Sequence, residues 1–168
     1  TGRDILTRLH PEQADRAIAL FYEYIPRLRL EGLKPVDGAF AFIQALQTRN
    51  IPMGVVSNAQ QKIVEAEVAH VNWALYFKIL IGAIPERPGK PAPDPVFAAL
   101  DEMGIPRDQA GSVWFVGDME TDEKASESAG CPFLYYIGGV ADLAERDRLA
   151  AHVKFETFAQ LTEILGTL

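Results

Sequence analysis

The stretch SVWFVGDMETDEKASESAG, residues 112–130, decides how the fold of this chain is predicted. Its apolar run at 113–116 predicts a buried strand, which ends at Gly117. Two carboxylates four residues apart, Asp118 and Asp122, follow at the start of a predicted helix. In open α/β sheets, ligands bind at the edge formed by the carboxyl ends of the strands. The stretch therefore predicts a strand that presents two acidic side chains at a functional edge of a sheet.

Composition and charge restrict the class of protein. The 168 residues are 48% hydrophobic and 23% charged, which is typical of a soluble globular domain with at most a small appendage. A formal charge of −7 argues against nucleic acid or an anionic membrane as the main partner. The single cysteine, Cys131, excludes an internal disulfide and fits a reducing compartment. Since no apolar run approaches the roughly 18 residues of a membrane span and the first residues do not resemble a signal peptide, we expect a cytoplasmic protein.

Strands and helices alternate along the chain. Strands are predicted at 51–56, 77–82, 113–116, 133–137 and about 152–155, and helices at 39–49, 59–70, 95–103, 122–129 and 158–165. The strands are continuous apolar runs, which is typical of a parallel sheet covered on both faces. The predicted fold class is therefore α/β with a doubly wound parallel sheet. A mainly helical segment at 1–34 precedes this body, which covers 35–168.

Polar residues fall where three of the predicted strands end. Ser57 and Asn58 follow the first strand, Lys90 lies in the proline-rich loop after the second, and Asp118 and Asp122 follow the third. Because parallel strands all end at one edge, we expect these groups to converge. A hydroxyl, an ammonium and two carboxylates suit a phosphate group together with Mg²⁺, whose preferred ligands are hard oxygens.

Three segments resemble known motifs. GVVSNAQ (54–60), GKPAPDPVFAAL (89–100) and VWFVGDMETDEKASESAG (113–130) resemble motifs two, three and four of the haloacid dehalogenase (HAD) superfamily. Their order and spacing are similar to those of its phosphoglycolate-phosphatase-like branch. The resemblance implies a Rossmann-like core at 35–168 and part of a helical cap at 1–34. It also implies a Mg²⁺-dependent phosphatase that acts on a small phosphorylated metabolite through an aspartyl-phosphate.

The resemblance also implies a role for each polar residue. Ser57, with Asn58 beside it, would bind the transferring phosphoryl group, and Lys90 would stabilise charge on the nucleophile and the phosphate. Asp118 would bind Mg²⁺ directly, and Asp122 would bind it through water or orient Lys90. Taken without the resemblance, Ser57 and Asn58 are most often a helix N-cap after a strand, and Asp122 could equally be an N-cap or first-turn acid.

One family motif has no counterpart in the sequence. The nucleophile of the family is an aspartate in a DxDGT-like motif that ends the first strand, and the family's strand order places that strand in the middle of the sheet. No such motif occurs in these 168 residues. We therefore expect the sequence to be an N-terminally truncated part of an ordinary enzyme, with a natural short homologue as the other explanation.

Other functions stay open. Within the family these are a 2-haloacid dehalogenase, which needs no metal, and a β-phosphoglucomutase-like enzyme, which needs a bisphosphate activator. From a different class, a non-catalytic binding module would keep the fold and the metal site. Neither the substrate nor the oligomeric state follows from the sequence.

The missing motif generates the first prediction. The isolated 168-residue chain should not hydrolyse p-nitrophenyl phosphate in the presence of Mg²⁺, because it lacks the carboxylate that would attack phosphorus. Release of p-nitrophenolate measures this directly. Robust turnover would show that the nucleophile lies within these residues.

Overall fold

The computed structural model describes residues 11–139 and 147–167. The chain divides into two compact units, Thr1–Lys34 and Pro35–Leu168. In the first unit, a 3₁₀ turn at Pro11–Gln13 leads into helix α1, Ala14–Gly32. The part of the predicted helical segment at 1–10 lies outside the described residues, and its assignment to a cap stays a prediction. None of the described helices is both long and apolar enough to cross a membrane.

The second unit alternates strands and helices, as the sequence predicts. Its elements are α2 (Ala39–Thr48), β1 (Gly54–Gln60), α3 (Gln61–His70), β2 (Ile79–Ala83), α4 (Asp94–Met103), β3 (Phe115–Gly117), α5 (Glu120–Ala129), β4 (Phe133–Tyr136), β5 (Val153–Phe155) and α6 (Phe158–Gly166). Short 3₁₀ turns lie at Ala74–Tyr76 and Arg107–Ser112.

The described strands form two parallel sheets rather than one. Strands β1 and β2 pair in the first sheet, with Val56 opposite Ile81. The second sheet has the order β3-β4-β5, with Val116 opposite Leu134. Every pairing between the described strands is parallel. Parallel neighbours need crossover connections, and helices provide such connections as the sequence predicts. The two sheets are separate because no described strand lies between β1 and β3.

The prediction that the strand around 113–116 is buried is wrong for part of its length. The strand is shorter and later than predicted, and the side chains of Trp114 and Val116 are 36% and 39% exposed. The apolar run predicts burial on the assumption that a strand has neighbours on both sides. Among the described residues, β3 has a neighbouring strand only on its β4 side.

The side of the body around β4 and β5 is closed by a well-packed core. Leu134 and Phe155 from these strands meet Phe42 of α2 and Leu161 of α6, and all four are at most 5% exposed. Phe155 also contacts Phe158 edge to face, with ring centroids 5.4 Å apart. Such aromatic contacts add to the free energy gained by removing the rings from water. Helices α2 and α6 are thereby fixed against the three-stranded sheet.

This core generates a stability prediction. Leu161→Ala should lower the free energy of unfolding by about 2–5 kcal/mol, because it opens a cavity at a fully buried position. The matched control is Leu75→Ala at a side chain that is 93% exposed, where we expect a change within about 0.5 kcal/mol. Urea unfolding followed by circular dichroism measures both, and equal effects would contradict the position of α6.

Candidate active site

The turn after β3 brings Asp122 against Gly117. A Cβ atom added to Gly117 would lie 2.5 Å from the Cβ of Asp122, so only glycine leaves room for this approach. Asp122 Oδ2 accepts hydrogen bonds from the backbone N–H groups of Asp118 and Met119, both at 3.1 Å. Helix α5 begins at Glu120, so Asp122 is in its first turn and caps it. The sequence left open whether Asp122 is an N-cap or a first-turn acid, and the structure places it in the first turn.

The side chain of Lys90 joins the ends of the two sheets. Its Nζ donates a hydrogen bond of 2.6 Å to Asp122 Oδ1 and one of 2.8 Å to the carbonyl oxygen of Val56 in β1. The side chains of Lys90 and Asp122 are only 10% and 7% exposed. The Nζ also lies 5.6 Å from the ring centroid of Phe115 in β3. A buried ion pair with further hydrogen bonds is strongly fixed in position, because any other arrangement leaves a charge unpaired.

Asn58 holds the main chain of Lys90. Its Oδ1 accepts the Lys90 N–H at 2.8 Å, and its Nδ2 donates to the Lys90 carbonyl oxygen at 2.7 Å. Gly89 makes this contact possible, since a Cβ there would lie 2.8 Å from Asn58 Oδ1. Both polar atoms of Asn58 are thus used to fix the loop after β2 to the end of β1. The contact of Asn58 with phosphate stays a prediction.

Ser57 lies beside these groups near the end of β1. Its Oγ accepts the backbone N–H of Ala59 at 3.1 Å, in a part of the strand where the pairing with β2 is irregular. The hydroxyl keeps its own proton, so it can still donate a hydrogen bond to an oxygen of a ligand. The structure therefore leaves the predicted phosphate contact of Ser57 chemically available.

The carboxylate of Asp118 differs from that of Asp122 in its surroundings. Its pKa is raised, first by burial of the carboxyl group and then by the negative charge of Asp122, with its own N–H and Lys90 acting in the opposite direction. Among the described residues, no side chain makes an ion pair with Asp118. A cation beside Asp118 would relieve both unfavourable effects.

Magnesium fits this donor set through Asp118. The described part of the chain contains no cluster of three or more His, Cys, Asp or Glu side chains that could hold a metal. Mg²⁺ usually needs only one or two carboxylates, because water and substrate phosphate fill its other positions. Both oxygens of Asp122 are engaged, one by Lys90 and the other by two N–H groups. This favours the alternative in which Asp122 orients Lys90.

Sequence reasoning missed two parts of this arrangement. It did not anticipate that the Val56 carbonyl would accept a hydrogen bond from Lys90, or that Asn58 would hold the Lys90 main chain. The carbonyl has no signal in a sequence, since every residue has one. Gly89, directly before Lys90, is the one available signal for the second contact, because glycine often marks a close approach to the backbone.

With the geometry established, comparison with known proteins identifies the family. The model of the haloacid dehalogenase-like hydrolases matches residues 1–136. The chain belongs to this family. The resemblance found in the three motifs is thus confirmed.

Relatives and solved structures agree with this assignment. The chain is 32% identical over 152 residues to a phosphoglycolate phosphatase of Shigella boydii, in a match that covers 88% of this chain and 57% of that protein. A HAD-superfamily hydrolase of Ehrlichia chaffeensis has 26% identity and a TM-score of 0.67, with coverage of 98% and 74%. A HAD-superfamily hydrolase of Geobacter sulfurreducens has 24% identity and a TM-score of 0.75, with coverage of 99% and 73%. The predicted fold class is confirmed, and the chain spans little more than half of the Shigella protein.

The close approach at Gly117 can be tested. Gly117→Ala should lower the free energy of unfolding by about 1–3 kcal/mol, because the added methyl group must displace the buried side chain of Asp122. Gly111→Ala is the matched control, since a Cβ at Gly111 meets no atom within 4 Å, and it should change stability by less than about 0.5 kcal/mol. Denaturant unfolding of both variants measures the difference. A Gly117 variant as stable as the control would contradict the packing of Asp122.

Proposed function

We propose that this chain provides the phosphate and metal site of a Mg²⁺-dependent phosphatase that acts on a small phosphorylated metabolite. The observation that carries the proposal is the buried ammonium of Lys90. It is held between Asp122, just after β3, and Val56, where the regular pairing of β1 with β2 ends. A fixed positive charge at that edge suits the negative charge that develops when a phosphoryl group is transferred. The phosphoglycolate phosphatase relatives support a small phosphorylated substrate.

The charges explain why a divalent cation belongs to the proposal. Lys90 contributes one positive charge and Asp118 and Asp122 contribute two negative charges, so the site alone has a net charge of one negative. A phosphate monoester with its own negative charges would be repelled by such a site. Bound Mg²⁺ would supply two positive charges next to the phosphoryl oxygens and offset the negative charge of the carboxylates.

Each polar residue then has a defined part. Asp118 would hold the cation, and Ser57 would donate its hydroxyl proton to a phosphoryl oxygen. Lys90 would stabilise negative charge in the transition state, while Asp122 and Asn58 keep its ammonium and its main chain in place. None of these residues is the nucleophile in this proposal.

The reaction takes place in two steps. A carboxylate oxygen of an aspartate outside these 168 residues attacks phosphorus, and the bond between phosphorus and the ester oxygen breaks. The departing alkoxide takes a proton from water and leaves as the alcohol. Water then attacks the aspartyl-phosphate, which releases inorganic phosphate and restores the aspartate.

Location in a reducing cytoplasm is part of the proposal. It is supported by the thiol of Cys131, the single cysteine of the sequence, which is free and buried.

The test uses the full-length protein, translated from its native start codon, that contains these 168 residues. Lys90→Met should lower kcat for p-nitrophenyl phosphate by about 10²–10³-fold, the effect of removing one preorganised electrostatic contact. Lys124→Met, which removes an exposed lysine paired with Glu120, is the matched control and should retain activity. EDTA should abolish turnover and Mg²⁺ should restore it.

The double variant Lys90→Met/Asp122→Asn is the control for loss of folding, because it removes both members of the buried ion pair and leaves no unpaired buried charge. It should unfold near the wild-type midpoint and still be inactive. Metal-independent release of halide from a 2-haloacid would instead show a dehalogenase, and a requirement for a sugar bisphosphate would show a mutase. Binding of Mg²⁺ or phosphate without any turnover would show a binding module.

A further inference from the structure

The last part of β1 does not pair regularly with β2. From Val56 to Gln60 the first strand advances four residues. Over the same stretch the second strand advances only two, from Ile81 to Ala83. The first strand therefore accommodates two additional residues, as in a wide β-bulge. We call residues 57–59 the bulge.

The side-chain amide of Gln61 contacts β2 where the bulge leaves it. Its Oε1 accepts the N–H of Gly82 at 2.6 Å, and its Nε2 donates to the carbonyl oxygen of Leu80 at 2.9 Å. The N–H of Lys78 is bonded to the Met53 carbonyl, so Lys78 faces β1. Alternate residues of a strand face the same way, and Leu80 and Gly82 therefore face β1 too. Since a side-chain amide offers the same C=O and N–H groups as a peptide, Gln61 substitutes here for a peptide group of β1.

The partners of this amide fix its orientation. Besides the Leu80 carbonyl, Nε2 has a second acceptor, Glu65 Oε1, at 2.9 Å. The oxygen Oε1 faces a donor, the N–H of Gly82. A flipped amide would place its oxygen against two acceptors and its nitrogen against a donor. The Gln61 side chain is therefore held in one arrangement at the start of α3.

Gly82 is fixed at both of its polar backbone groups. While Gln61 accepts its N–H, Arg87 Nη2 donates to its carbonyl oxygen at 2.7 Å. A Cβ at Gly82 would lie 2.5 Å from the Cα of Gln61, so glycine is required for this approach. Arg87 belongs to the loop that leads to Lys90. The end of β2 is thus held from the side of α3 and from the side of this loop.

The bulge can exist because Gln61 satisfies the backbone groups of β2. Partly buried N–H and C=O groups need partners, and without Gln61 the main chain of β1 would have to supply them by returning to the ladder. In the bulge, the Ala59 N–H bonds instead to Ser57 Oγ at 3.1 Å, and the Asn58 side chain bonds to the main chain of Lys90. Bulges re-aim side chains in this way and are frequent beside active sites.

We propose that Gln61 is a positioning residue for the phosphate site. Its side chain takes the place of β1 in the pairing with β2, which keeps the bulge open and lets Ser57 present its hydroxyl to a phosphoryl oxygen. This inference rests on the proposed function, because it needs a phosphate ligand at Ser57. Gln61 itself does not contact the phosphate.

The expected effect is on binding of the phosphate rather than on its transfer. Ser57 contacts a phosphoryl oxygen both before and during the reaction, so a change in its position acts on both states alike. The ammonium of Lys90 is fixed separately, by Val56 and Asp122. Loss of the Gln61 contacts should therefore raise KM and leave kcat nearly unchanged.

The test uses the full-length protein and inorganic phosphate as a competitive inhibitor. Gln61→Leu should raise the inhibition constant of phosphate and KM for p-nitrophenyl phosphate about tenfold, the effect of losing one hydrogen bond to a charged group. We expect kcat to stay within about threefold and the affinity for Mg²⁺ to be unchanged. Gln60→Leu is the matched control at the adjacent glutamine, whose side chain is exposed, and it should bind phosphate like the wild type.

A double-mutant cycle separates positioning of Ser57 from a general loss of structure. Ser57→Ala removes the hydroxyl and should raise the inhibition constant of phosphate about tenfold or more. Gln61→Leu/Ser57→Ala should bind phosphate no more weakly than Ser57→Ala alone, because the group that Gln61 positions is already absent. A general disturbance of the site would add its effect to that of Ser57→Ala.

A second substitution covers the case in which Gln61→Leu does not fold. In Gln61→Glu, an ionised carboxylate can accept from Gly82 but cannot donate to Leu80, whereas a protonated carboxyl can do both. The phosphate affinity of this variant, relative to the wild type, should rise about threefold as the pH falls from about 8 to about 5. The same ratio for Gln60→Glu should stay constant.

Three outcomes would overturn the role of Gln61. These are equal inhibition constants for Gln61→Leu and Gln60→Leu, additive effects of Gln61→Leu and Ser57→Ala, and a loss of Mg²⁺ affinity as large as the loss of phosphate affinity. If turnover survives both Lys90→Met and EDTA, the proposed function fails and the role of Gln61 fails with it. If both abolish turnover while Gln61→Leu binds phosphate like the wild type, only the role of Gln61 fails.

Discussion

The arrangement of the site depends on one buried ion pair, between Lys90 and Asp122. Removing an ammonium and a carboxylate from water is unfavourable by several kcal/mol for each ion, and only good geometry with further hydrogen bonds offsets it. The structure supplies both, because Asp122 accepts two backbone N–H groups and Lys90 also donates to the Val56 carbonyl. The pair thereby connects β1, the loop after β2 and the first turn of α5, which are far apart in sequence.

The same pair explains which parts of the site could be predicted from the sequence. Ser57, Lys90, Asp118 and Asp122 could be grouped in advance because parallel strands end at one edge, and that rule needs only the order of the elements. The role of each residue within this group could not be predicted from the sequence. Whether Asp122 binds a cation, caps a helix or holds Lys90 depends on distances of a few tenths of an ångström, which the packing of Gly117 against Asp122 determines.

The fold was predictable to a similar degree. The alternation of helices and apolar strands was sufficient for the α/β class, since periodicity and composition are local properties of the chain. The exposure of Val116 was not predictable from its own segment, because burial of a strand residue depends on what lies beside the strand. The contact between β1 and the start of α5 was equally unpredictable, because it depends on the hydrogen bonds of the Lys90 ammonium.

The two contacts of the Lys90 ammonium have a geometric consequence. An ammonium group has three N–H bonds in a tetrahedral arrangement around one C–N axis. Once Val56 and Asp122 each receive one, rotation about that axis is arrested and the third bond has a single direction. A freely rotating lysine would present its charge as an average over orientations. The ammonium of Lys90 instead offers its third N–H in one direction, which is set before any ligand binds.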